Sequence, residues 1–197
     1  MWKNLRNTNG INAAEKDFAW KLTQDMLPIG KRIHRINVEK RCLNKIREGL
    51  CEEVPDIMHK LYNCQSVVFS ARATKLVLEE FMDKKIEDRE LLTLSFRHRT
   101  NKINQVAVWF AIRALFEIFN GLGFNKAQMF TKLYKELDWN IEMGKKIGSF
   151  QEMARMKCIL YLWIQLHLFS FLLIKNILLI NKKNIAKNKC NERNSCF

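Results

Sequence analysis

Apolar residues recur at helical spacing through most of this chain. Asn12 with Glu15 three places on has the form of a capping box, and Ala14, Phe18, Leu22 and Met26 then share one helical face until Pro28 stops the run. Pro55 suits a first helical turn and Asp56 favours the positive end of the dipole, so "PDIMHKLYN" predicts a helix of about two turns carrying His59. Val67, Ala71, Thr74, Leu78 and Phe81 repeat at four-three spacing, which predicts an amphipathic helix to about Met82. From Val106 to Phe119 the chain is apolar on nearly every side, and that segment is expected to form the centre of the core and to end at Gly121. Only Arg113 and Glu117 interrupt it; four apart, they are expected to pair with each other. Ala127, Phe130, Leu133, Tyr134 and Leu137 predict one more amphipathic helix, and Trp20, Tyr62, Trp109 and Tyr134 fall at core spacing. With two prolines, seven glycines and no alternating run, the expected fold class is all-α: a small irregular helical domain.

The end of the chain differs in kind. Cys158 to Ile174 carries no formal charge, and residues 158–180 are mostly apolar, close to the length of about 20 residues that spans a bilayer. Gln165, His167, Ser170 and Lys175 interrupt it, so a membrane segment is the alternative reading here rather than the first. From Leu172 to Asn191 nearly every residue is Leu, Ile, Lys or Asn, a compositional bias without a face, which suggests a tail not selected to fold.

Composition narrows the class. The 197 residues are 48% apolar and 27% charged, a globular balance. The formal net charge of +14 favours polyanionic partners, nucleic acid first and an acidic membrane surface second. That charge is spread along the chain: 12 basic against 8 acidic residues over 1–64 give +4, and 16 against 11 over 65–157 give +5. The opening "MWKNLRNTNG" lacks an apolar signal core, so the expected location is intracellular, nuclear or cytoplasmic, with the six cysteines reduced.

Reduced, clustered cysteines and histidines are first read as metal ligands. Cys42, Cys51, His59 and Cys64 supply three thiolates and one imidazole, the number and softness that tetrahedral zinc wants. The spacing is loose. Eight residues separate Cys42 from Cys51, and His59 and Cys64 stand five apart, which on an α-helix turns them about 140° away from each other. They converge only if the helix gives way near Asn63. The alternative is small buried thiols and a core histidine with no metal.

The stretch "DFAWKLTQDMLPIGKRIHRINVEKRC", followed by Cys51 and by "HKLYNC", resembles the reverse-transcriptase zinc-binding domain, a module that follows the polymerase in many non-LTR retroelement proteins. The resemblance covers about residues 12–64. It rests on Phe18 and Trp20 on a helix, the Leu27–Pro28 break, a basic turn with Ile33, and the order Cys, Cys, His, Cys. It implies a module over 12–64; beyond it the helical spacing and the compositional bias read above predict a helical extension over 65–155 packed on that module and the apolar then Lys/Asn/Ile-rich tail of 156–197. It also implies Zn2+ and a partner that is nucleic acid or a reverse transcriptase polypeptide.

No enzyme is expected. Adjacent aspartates of a polymerase, a Gly-rich phosphate loop, a G-x-S-x-G elbow and an H-E-x-x-H helix are all missing from the sequence, and no small-molecule substrate is anticipated. Lys31, Arg32, Arg35, Lys40 and Arg41 crowd the segment before Cys42, and Arg97 and Arg99 precede the apolar helix; these seven are the expected contacts to a phosphate backbone, made without reading bases. The function expected is therefore that of a non-catalytic, zinc-binding, retroelement-derived module. The alternative is a membrane-anchored or protein-binding helical protein without metal.

Overall fold

A computed structural model describes residues 9–29, 45–46, 49–51, 56–121, 125–145 and 147–166. Cys42, the basic group Lys31, Arg32, Arg35, Lys40 and Arg41, and everything after residue 166 lie outside them. The fold is all-α, with one short antiparallel pairing.

The first helix, α1 (Ala13–Thr23), begins as its sequence dictates. The Asn12 side chain accepts the Glu15 N–H and the Glu15 carboxylate accepts the Asn12 N–H, both at 2.9 Å, so two orphan donors of the first turn are met. Two-residue strands follow, β1 (Lys45–Ile46) and β2 (Gly49–Leu50), paired Lys45 with Leu50 and Ile46 with Gly49. A π-helical turn, His59–Asn63, leads into α2 (Val68–Met82), which stops where Asp83 turns left-handed at φ 51°. A short α3 (Asp88–Thr93) precedes α4 (Asn101–Phe119), then come α5 (Lys126–Glu142) and a last helix, α6, over 150–166.

The segment that is apolar on nearly every side is the hub. Helix α4 buries eleven of its residues, Trp109, Phe110, Ile112 and Leu115 completely, and α1, α2, α5 and the π-turn all pack on it. Each large side chain so buried contributes about 1.5–3 kcal/mol, so α4 dominates the stability of the body. The expected Arg113–Glu117 pair does not form. Arg113 reaches Glu136 of α5 and, at 3.3 Å, Glu15 of α1, while Glu117 takes Lys132 of α5 at 2.5 Å. In a helix buried on all sides, carboxylates from neighbouring helices compete for the guanidinium, and here they win over the local i,i+4 partner.

Helix α6 crosses residue 155, where the extension was expected to give way to tail. It buries Met153, Met156, Ile159 and Leu160, sets Trp163 against Phe130 with ring centroids 6.4 Å apart, and donates from the Trp163 indole to Glu80 at 3.0 Å. Lys157 pairs with Asp138. Among the described residues no helix is long and apolar enough to cross a membrane.

Candidate metal centre

Three short pieces of backbone converge here. The β1–β2 pairing reverses the chain within a few residues, so Cys51 leaves the hairpin at the end where the chain enters it. Asp56 then starts the next turn: its carboxylate accepts the His59 N–H at 2.6 Å, the cap that a first turn requires. The turn is too wide for an α-helix. The Cys64 N–H donates to the His59 carbonyl at 2.9 Å, a bond across five residues rather than four. That widening brings position 64 back over position 59, removing the divergence that a regular helix would impose. Beyond it, the Cys64 carbonyl accepts from both Val67 and Val68 N–H groups at 2.9 Å, so the same residue closes the π-turn and opens α2.

The side chains meet accordingly. Cys51 Sγ lies 3.4 Å from His59 Nε2, and the ligand atoms of Cys51, His59 and Cys64 all lie within 4.8 Å of one another. Cys64 is fully buried, Cys51 nearly so and His59 partly, and the Cys64 sulfur stands 3.3 Å from Ser66 Oγ. These three residues are close enough to hold a metal ion. A tetrahedral ion with bonds of about 2.3 Å to sulfur and 2.0 Å to nitrogen sets sulfur and nitrogen about 3.5 Å apart and two sulfurs about 3.8 Å apart. The observed Cys51–His59 separation matches the first value.

The turn is pinned from behind. Leu61 and Tyr62 are buried under it, and burial together with a hydrogen bond to Asp88 pushes the Tyr62 phenol up to about 12. Lys75 of α2, 2.6 Å from Asp88, holds that carboxyl below the usual carboxylate range, with Tyr62 helping. One phenol, one carboxylate and one ammonium thus tie the π-turn to α2 and α3.

Three of the four expected ligands are therefore brought together, and the fourth, Cys42, lies outside the described residues, as do the five basic residues ahead of it. Arg97 and Arg99 are exposed immediately before α4. Between them His98 shapes the entry: its Nδ1 accepts the Thr100 N–H and its carbonyl accepts the Asn104 side chain, both at 3.0 Å. The sequence does not announce the hairpin or the π-turn, nor the cluster of Glu15, Arg113 and Glu136; its one trace is an apolar helix with a single arginine, which must find an acid somewhere. Comparison with protein-family profiles, curated proteins and solved structures returns no match to this chain.

Proposed function

We propose that Cys51, His59 and Cys64 bind Zn2+, with Cys42 as fourth ligand, and that the chain is a non-catalytic module whose metal-supported fold presents basic residues to nucleic acid or to a reverse transcriptase polypeptide. The observation that carries this reading is the convergence of two thiols and an imidazole within 4.8 Å, made by two backbone devices, a hairpin and a π-turn, acting together. Soft and borderline donors of this kind suit zinc and not magnesium or calcium. Cys42 is the candidate fourth ligand because it stands nine positions before Cys51 in sequence, nearer than any further cysteine. A closed four-ligand site is structural, since catalytic zinc keeps a position open.

Metal analysis of the full chain, purified reduced, is expected to give one zinc per chain, with chelator lowering the melting temperature because binding is coupled to folding. Cys51→Ser and Cys64→Ser should each abolish loading, and Cys42→Ser should weaken it. A stoichiometry near zero, with melting unchanged in chelator, would leave buried thiols without metal as the correct account.

A further inference from the structure

Two of the three side chains that meet at the metal centre are thiols, and they come from separate pieces of backbone. Cys51 follows β2 directly and Cys64 closes the π-turn, with twelve residues between them. Neither is in a disulfide, and their sulfurs lie within 4.8 Å of each other. A disulfide sets its sulfurs about 2 Å apart, so closing the gap takes at most about 3 Å of movement, which one change of cysteine rotamer supplies. The two side chains already converge on a common point.

Burial orders the pair. Cys51 is 7% exposed and Cys64 0%, so a small oxidant dissolved in water meets the Cys51 sulfur first, with Cys64 standing behind it. That is the arrangement of an attacked thiol and a resolving one. The third described cysteine, Cys158, is exposed on α6 and belongs to no such cluster. We propose that Cys51 and Cys64 form a reversible disulfide in response to hydrogen peroxide and that the bond expels the ion; the expulsion rests on the metal reading above, the bond does not. The Cys51 thiolate attacks one peroxide oxygen, the O–O bond breaks, and Cys51 becomes a sulfenic acid as hydroxide leaves. The Cys64 thiolate then attacks the Cys51 sulfur, a second hydroxide leaves, and the disulfide closes. Each thiolate supplies one electron, and the two electrons reduce one peroxide. A disulfide sulfur is no longer a thiolate ligand, so the centre keeps only His59 and Cys42 and cannot hold zinc in a closed site. The covalent bond then joins the same two pieces of backbone that the ion joined, so the helical body persists. In a compartment that keeps thiols reduced such a bond is transient, which suits a sensor rather than a staple.

Hydrogen peroxide added to the reduced full chain, zinc-loaded and chelator-treated in parallel, tests this. Peptide mapping should find Cys51 joined to Cys64 in both, with about one zinc released per disulfide in the loaded form, and dithiothreitol should reverse both changes. In Cys64→Ser the reaction should stop at Cys51, trapped by dimedone as the sulfenic acid, while Cys158→Ser should behave as the parent. If Cys64→Ser does not fold, the maps of the parent and of Cys158→Ser decide. Joining of either cysteine to Cys42 or Cys158, oxidation that leaves both cluster thiols reduced, or a disulfide that forms while zinc stays bound would overturn the proposal. A chain that never holds zinc yet forms the Cys51–Cys64 bond would sustain the thiol pair and overturn the metal reading instead.

Discussion

Gly148 decides how closely the start of α6 approaches α4. It sits at φ +85°, and a Cβ there would stand 2.7 Å from the Lys102 carbonyl oxygen and 2.8 Å from a Val106 methyl. Both the left-handed backbone and the contact with a carbonyl resist any side chain, so Gly148→Ala should lower stability by about 2 kcal/mol or more, read as a drop in denaturant midpoint at constant slope. Asp88 acts through charge. Its carboxyl is held low by Lys75, so the native state favours its ionised form, and the stability it contributes is present above the ordinary carboxylate value near 4 and is lost as pH falls through the lower native value. Asp88→Asn should melt lower than the parent at neutral pH, and the gap should close in strongly acid solution. Because Asp88 is 41% exposed, the difference will be modest and will shrink in high salt. A gap that persisted at acid pH would mean that the Tyr62 contact, rather than the charge, carries the effect.

At the scale of elements, a widened turn brings Cys64 to His59, and the hairpin adds Cys51 to the cluster. Inserting one alanine after Asn63 moves Cys64 a further 100° or so around the axis, and it should abolish metal loading while leaving total helicity by circular dichroism nearly unchanged. If loading survives the insertion, the register of the π-turn is not what aligns the ligands. The capping box at Asn12 and Glu15 was legible in the sequence because both of its bonds are local. So was α4, because an apolar run with no polar face has nowhere to lie but the centre. The π-turn was not legible. Its five-residue spacing is incompatible with an α-helix, and what tells the chain to widen rather than fray is the burial of Leu61 and Tyr62 against α2 and α4, which is tertiary. The same holds for Arg113, whose partners come from 98 residues upstream and 23 downstream in sequence, on helices α1 and α5. Helix α6 was obscured for a different reason: its apolar residues run without a break into the biased tail, and only the docking of Met156, Leu160 and Trp163 on neighbouring helices marks where the packed part begins.

For the whole molecule the governing quantity is charge. A net +14 on 197 residues attracts polyanions at long range, but affinity depends on how many phosphates are neutralised at contact. Arg97 and Arg99 are both exposed, and they lie at the N-terminal end of α4, whose capping residue Thr100 makes no side-chain cap bond to the first-turn N–H groups. A phosphate placed there meets two guanidinium groups and the positive end of the helix dipole together. If nucleic acid is the partner, as proposed above, and the basic segment before Cys42 adds one or more contacts, about three phosphates would be engaged, and log K for a DNA duplex should fall against log salt with a slope of roughly −3. Binding should be tolerant of sequence, since none of these contacts reads a base edge. Replacing Arg97 and Arg99 together with alanine should shallow the slope by up to ~2 without changing the melting temperature, because neither side chain is buried. Fluorescence anisotropy at four or five salt concentrations separates the outcomes. A wild-type slope in the double variant would show that these arginines face only solvent, and a slope near zero in the parent would turn the functional reading from nucleic acid towards the polypeptide partner.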